Sequence, residues 1–399
     1  MRYLSKSKDY LVNIAASLIL AVSTQLLAYP LLSRYMPEAD YGLALLLMGV
    51  YNLIGVSLGN PLANTRILLE GSDGQVCRSG DFKALFVVST VLSFVLCFAL
   101  TEVFWGQFNC INCFSGGLLG SLIIGRCYLT SQFRVELSFE KLLVTNCFGL
   151  VGYLVGFGVF VWLYSYWPIV FICGEAGSFI ALVSYCSFLK EPFRITRYFN
   201  TVLRKYVYLF VASFLITFMT YADRFILTPL LGLEAVSVYA IASFVGKSVG
   251  LFVNPISSVL LSYAAKETQT SSHALIRMFA LYFAGFALFT IVIVALQKPL
   301  TFILYPTMAD AAVPYLTIAN IGAMIFCYGN MVQPMMLRYS GDKSQPLVQV
   351  LYIVAFAIFC YLGVIASGLQ GFCYGVIFAN IVRAVLFVAF TLHAVNQNY

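Results

Sequence analysis

Long apolar runs separated by short polar or charged connections recur twelve times along this chain. They fall at about 10–33, 41–65, 84–104, 110–131, 142–164, 167–189, 206–231, 236–264, 274–296, 310–337, 346–367 and 371–394. Each supplies the ~20 helical residues needed to cross a hydrocarbon core at ~1.5 Å per residue. The pattern therefore predicts about twelve transmembrane helices in an all-α integral membrane protein. The fifth and sixth runs, and the eleventh and twelfth, are joined by very short connections. The longest connections, near 66–83, 131–141, 190–205 and 265–273, hold under twenty residues each, so no extramembrane domain is expected. The first run, Leu11 to Leu32, is too long for a signal-peptide core and has no small-x-small cleavage site after it. It is expected to persist as the first span.

Composition agrees with this pattern. The chain is 61% hydrophobic and 10% charged, with mean hydropathy +0.91, against roughly 25% charged residues in soluble domains. The cations set an orientation. With the N-terminus inside, the inner ends and loops hold Arg2, Lys6, Lys8, Arg66, Arg78, Lys83, Arg126, Arg134, Lys141, Lys190, Arg194, Arg197, Arg204, Lys205, Lys266, Arg277, Arg338 and Lys343, which is 18 of the 23 Lys and Arg. Only Arg34 and Lys298 fall outside, so the positive-inside rule places both termini in the cytoplasm. The same asymmetry accounts for the net charge of +7 without nucleic acid as a partner.

The segment 190–205, KEPFRITRYFNTVLRK, carries five cations and divides the chain almost evenly. It reads as a cytoplasmic linker between six-helix lobes at 1–189 and 206–399. An alternative is an interfacial amphipathic helix with Phe193, Tyr198, Phe199 and Leu203 on its lipid side. Glu38-Ala39 followed by Asn60-Pro61 has an echo in Glu234-Ala235 followed by Asn254-Pro255, which suits a parallel repeat of two halves. Prolines at 30, 61, 255, 314 and 334 predict kinks, as hinges or as static curvature. GxxxG pairs at Gly55/Gly59, Gly116/Gly120, Gly152/Gly156, Gly246/Gly250 and Gly371/Gly375 predict close helix approach. Trp105, Trp162, Tyr164, Tyr166 and Trp167 suit an outer interfacial belt.

Five charges fall inside apolar runs: Glu175, Asp223, Arg224, Lys247 and Arg383. An ionisable group near the bilayer centre costs at least ~2.5 kcal/mol on insertion scales and persists facing protein or water. One reading is a polar path; the other is buried pairing of Glu175 with Arg383 and of Asp223 with Lys247. Three cations against two anions leave one positive charge for water, carbonyls or an anionic ligand. Arg34 and Arg66, at the ends of spans one and two, either extend a basic lining or snorkel to the interface. Gln25, Asn52 and Asn60 add neutral polarity to the first two spans. Asp223 and Arg224 point about 100° apart on a helix, so both cannot face one narrow cleft squarely.

Cofactor chemistry is not indicated. Most of the eleven cysteines lie within spans as small apolar residues, and Cys110 and Cys113 read as helix-entry residues or as a CxxC open to oxidation. With only His273 and His393, a His-based metal site is not expected. There is no Walker A motif for ATP hydrolysis.

The first span and its exit, NIAASLILAVSTQLLAYPLLSRYMPEADYG, resemble the opening of the Wzx-type polysaccharide (O-antigen) flippases of the multidrug/oligosaccharidyl-lipid/polysaccharide exporter (MOP) superfamily. Gln25, Pro30, Leu32-Ser33-Arg34 and Tyr41-Gly42 stand in that order. Asp223-Arg224, Gly232, Val238-Tyr239 and Asn254-Pro255 are similar to the same family's second-half opening. The likeness covers the whole chain in architecture and about a quarter in motif. It implies a MATE-like pair of six-helix halves around a central cavity. It also implies transfer of an undecaprenyl-pyrophosphate-linked oligosaccharide from the inner to the outer leaflet of a bacterial inner membrane, by alternating access. Expected partners are that lipid-linked substrate, the bilayer, a polysaccharide polymerase and a chain-length regulator.

On this reading Lys247, Arg383, Arg224, Arg34 and Arg66 line a cationic cavity for the pyrophosphate, while Glu175 and Asp223 serve ion coupling or structural pairing. Glu175, Lys247 and Arg383 match no motif of the family, and their assignment rests on depth and charge. Lipid II flippases carry two further C-terminal spans, so peptidoglycan precursor is the less expected cargo. A multidrug or small-metabolite exporter of the same fold is the alternative, and a membrane polysaccharide polymerase a more distant one; no catalytic residues are expected.

Overall fold

The computed structural model describes residues 2–72, 79–106, 108–136, 138–264, 271–340 and 344–397. Arg78, Lys266 and Lys343, expected at the cytoplasmic side from the cation asymmetry, lie outside the described residues. The chain is all-helical. In order it forms α1 (Arg2–Ala21), a π-helical turn (Val22–Ala28), α2 (Tyr29–Ser33), α3 (Glu38–Ser72), α4 (Ser79–Trp105) and α5 (Cys110–Leu129). There follow α6 (Ser131–Val135), α7 (Phe139–Trp162), α8 (Pro168–Tyr185), a 3-10 turn (Phe188–Lys190), α9 (Phe199–Leu231) and α10 (Leu233–Ala264). The chain closes with α11 (Ser272–Leu304), α12 (Ala309–Ala312), a second 3-10 turn (Val313–Tyr315), α13 (Leu316–Tyr339) and α14 (Ser344–Gln397).

Among the described residues, 11 helices are long and apolar enough to cross a membrane. The last of them is broken. Ser367 and Gly368 leave helical geometry, Gly368 at φ 58° and ψ −133°, a conformation that glycine adopts without a Cβ penalty. The two arms fold back on each other: a Cβ on Gly363 would meet the Gly371 carbonyl, and one on Gly375 would lie 2.5 Å from the Phe359 carbonyl oxygen. Counting both arms gives twelve crossings, with the break where the eleventh and twelfth apolar runs meet. The first run is one rod interrupted by the π turn. Pro30 has no N–H for the Leu26 carbonyl, and the wider turn, in which Tyr29 N bonds Thr24 O, absorbs the misfit.

Internal packing divides the chain into two compact units. One comprises residues 1–32 and 43–224, the other 33–42 and 225–399. In the first, α7 lies against α1 and α8, and α5 against α4 and α8. Its core at one end gathers Leu62, Phe82, Leu85, Tyr128, Phe133, Leu182 and Phe188. The GxxxG glycines serve these contacts: Gly55 and Gly59 meet Ile123 and Cys127 of α5, and Gly156 meets Val170 and Cys173 of α8. In the second unit α13 is central, packing on α10, α11 and α14, and Gly246 lets α10 approach Asn320 and Ala323.

The segment after α8 is not the interfacial helix that its composition permits. Glu191 precedes Pro192 and is extended (φ −62°, ψ 146°), as the proline ring requires of its neighbour. Residues 191–196 have no regular structure, and α9 begins only at Phe199.

Candidate functional site: intramembrane charges

Each unit holds its own charged centres. In the first, Arg224 on α9 donates from Nη1 to the Leu45 carbonyl of α3, and its guanidinium lies 5.0 Å from the Tyr221 ring centroid. The Tyr29 hydroxyl of α2 also interacts with it. Gly49 makes room, since a Cβ there would stand 3.2 Å from Arg224 Cδ. Asp223 is buried, and its Oδ1 accepts from the Arg224 amide at 2.9 Å. Asn52, by contrast, donates to its own helix at Met48 O (2.8 Å).

Glu175 is partnered inside the first unit. Arg126 Nε on α5 donates to Glu175 Oε2 at 2.7 Å, and the Tyr153 hydroxyl of α7 reaches Oε1 at 3.4 Å. The pairing expected with Arg383 is replaced by this one. The positive-inside pattern assigns Arg126 to the inner ends of the spans, although it falls within the fourth apolar run. Its side chain is 15% exposed and that of Glu175 5%. Three helices meet at this ion pair, brought close by glycines: a Cβ on Gly174 would strike the Tyr153 ring, and one on Gly149 the Ser178 hydroxyl.

Arg66 is a buried anchor. Its guanidinium forks onto Glu191, with Nη1–Oε2 at 2.9 Å and Nη2–Oε1 at 2.5 Å, and Nη1 also donates to the Tyr128 hydroxyl at 2.6 Å. The Phe188 ring stacks 3.2 Å from its Cζ. Arg34 lies in the second unit, exposed, with Nη2 donating to Ile303 O at 2.9 Å. That carbonyl belongs to the last turn of α11, where a cation complements the helix dipole.

In the second unit Arg383, on the second arm of α14, is 4% exposed. Nη2 donates to Asn330 Oδ1 at 2.8 Å and Nη1 to Phe326 O at 3.4 Å, while Nε is buried without an acceptor. The rings of Phe326, Phe387 and Tyr352 surround Cζ at 4.4, 4.8 and 5.3 Å. Gly329 is needed here too, because a Cβ would come within 3.1 Å of Nη1. Lys247 differs in kind. It is exposed near the middle of α10, with Nζ 4.9 Å from the Tyr239 ring centroid. No cluster of His, Cys, Asp and Glu able to hold a metal occurs among the described residues.

Within one unit, then, Arg224, Arg126 and Glu175 share the helices of the first bundle, and Arg383 and Lys247 those of the second. Compared with known proteins, the chain matches no family model and no curated sequence. Solved structures do resemble it. The lipid II flippase MurJ, in an inward closed conformation, aligns at TM-score 0.76 and 13% identity over 97% of this chain and 91% of that one. An inward-facing multidrug resistance MATE transporter of the MOP superfamily aligns at 0.63 and 14% identity, over 98% and 96%. The eukaryotic MATE transporter AtDTX14 aligns at 0.59 and 12% identity over 100% of both chains. At such identities the likeness establishes the fold: this multi-pass membrane chain has the all-helical architecture shared by MurJ and the MATE transporters.

Proposed function

We propose that this protein is a flippase of the Wzx type, moving an undecaprenyl-pyrophosphate-linked oligosaccharide from the inner to the outer leaflet of a bacterial inner membrane. The two six-helix lobes, 1–189 and 206–399, alternate in access around a central cavity, joined by the cytoplasmic linker 190–205. The observation that carries this reading is Lys247. Its ammonium is exposed near the middle of an apolar span, 4.9 Å from the Tyr239 ring centroid, and a positive charge at that depth is placed to meet a ligand's negative charge. On a fold shared with a lipid flippase, a pyrophosphate headgroup is the ligand that a cationic lining suits.

Arg224 and Arg383 contribute positive potential from the walls of their bundles, with the polyprenyl tail left in lipid. Arg66 has its guanidinium engaged by Glu191 and acts in this scheme as a fixed post. Arg34 caps α11 and stands at the proposed outer mouth. Glu175 serves structural pairing with Arg126, which leaves Asp223 as the acid for ion coupling. A polymerase and a chain-length regulator would receive the delivered repeat unit.

The test is complementation of a flippase-null host. Lys247→Ala should lower surface polysaccharide at least about tenfold and raise the inner-leaflet pool of lipid-linked repeat units, while Lys247→Arg should retain most export. Unchanged export in Lys247→Ala would sink the cationic-path reading. The MATE likeness supports a second reading, an exporter of drugs or small metabolites. Heightened drug sensitivity in a knockout with intact polysaccharide would favour it.

A further inference from the structure

The connection between α8 and α9 is held to the first unit from one side. Gln132 Oε1 accepts from Cys186 Sγ and Ser187 N, both at 2.8 Å, and from Phe188 N at 3.3 Å. Lys83 Nζ donates to the carbonyls of Leu189, at 2.9 Å, and Glu191. The Asp81 carboxylate accepts from Thr196 N and Oγ1, both at 2.6 Å. Gly80 allows the Arg194 carbonyl to lie directly on α4. With Glu191 forked by Arg66, the strap's backbone and its one acid are turned toward the helix ends.

What remains faces outward. Phe193 is 62% exposed and Ile195 60%, and Lys190, Pro192, Arg194 and Arg197 are exposed beside them. The strap begins within a few residues of the end of α8 and stops just before α9, so it lies level with a membrane surface. The helix ends that hold it, those of α3, α4 and α6, mark the same face of the bundle. Apolar tips interleaved with cations, on a backbone already hydrogen-bonded from behind, suit the headgroup layer of a bilayer. Their charge has no acidic counterpart on the strap, since Glu191 is neutralised by Arg66.

We propose that residues 190–197 form a preformed binding surface for the anionic phospholipids of the leaflet it faces. Phe193 and Ile195 insert among the upper methylenes of the acyl chains. Lys190, Arg194 and Arg197 contact the lipid phosphates. The occupant is an anionic headgroup and not a cytoplasmic protein, because the exposed apolar tips stand at span-end level and the charge is uniformly positive.

The test uses the purified full chain in a neutral detergent, titrated with phosphatidylglycerol or phosphatidylcholine while the melting temperature is followed. Wild type should be stabilised by phosphatidylglycerol and much less by phosphatidylcholine. The exposed combination Arg194→Gln, Arg197→Gln, Phe193→Ser and Ile195→Ser should melt like wild type without lipid and need at least about tenfold more phosphatidylglycerol. Arg134→Gln, an exposed cation at the same face, should respond like wild type. Equal responses of the strap variant and wild type would overturn the proposal, as would an equal loss in the Arg134 control. Loss of a co-purifying polysaccharide-assembly protein with an unchanged lipid response would overturn it in favour of a protein partner.

Discussion

Arg66 and Arg383 are both nearly closed from solvent, at 2% and 4% exposure, and both lie against aromatic rings. They differ in what meets the charge. Arg66 has a bidentate carboxylate and a tyrosine hydroxyl. Arg383 has an amide, a carbonyl at 3.4 Å and a buried Nε with no acceptor. Taking a guanidinium out of water costs several kcal/mol, and only a well-made pair offsets it. Arg66 therefore belongs to the framework, fixing the strap to the ends of the helices. Arg383 is poorly compensated where it sits, and under the proposed function its field acts on the substrate that passes.

That contrast can be broken most forcefully at the strap. Glu191→Gln leaves Arg66 buried without its carboxylate and should cost about 3–5 kcal/mol. A purified variant should melt well below wild type, and Arg66→Met with Glu191→Leu should recover much of the loss. If Glu191→Gln melts normally, the Arg66–Glu191 pair does not anchor the strap.

A smaller effect is expected at Glu175→Gln, because Arg126 keeps partial solvent contact and can be hydrated in part; roughly 2–3 kcal/mol is the scale. Stability and transport should fall together, since the role is structural. A variant of normal melting temperature with lost transport would instead return Glu175 to ion coupling.

The smallest change in stability, and the sharpest separation, belongs to Arg383→Met. Without a carboxylate to orphan, its melting temperature should equal or exceed that of wild type, while polysaccharide export falls. Paired melting and complementation measurements on the same variant read this directly. A large drop in melting temperature would place Arg383 beside Arg66 in the framework.

Much of the fold is legible in the chain because the bilayer imposes a length on every crossing helix. The twelve apolar runs reappear as eleven long helices, one broken at Ser367–Gly368, where the sequence itself carries the glycine. The GxxxG pairs are likewise spent on close helix contacts. The site is less legible. Arg126 stood inside an apolar run, and that position was the available signal, yet its nearness to a loop sorted it with the topological cations. Glu191 looked like one acid in a basic linker. Its pairing with Arg66 joins residues 125 positions apart, and no local pattern encodes a partner at that separation.

The sequence by itself determined that the chain crosses a membrane about twelve times and which charges lie within the crossings. These follow from local quantities: run length and hydropathy. Only the tertiary structure decided which buried charges are neutralised. Glu175 took Arg126, Arg66 took Glu191, and Arg383 was left among rings and an amide. Helix packing sets those distances, and the cost or benefit of a buried charge depends on what stands within a few ångströms of it.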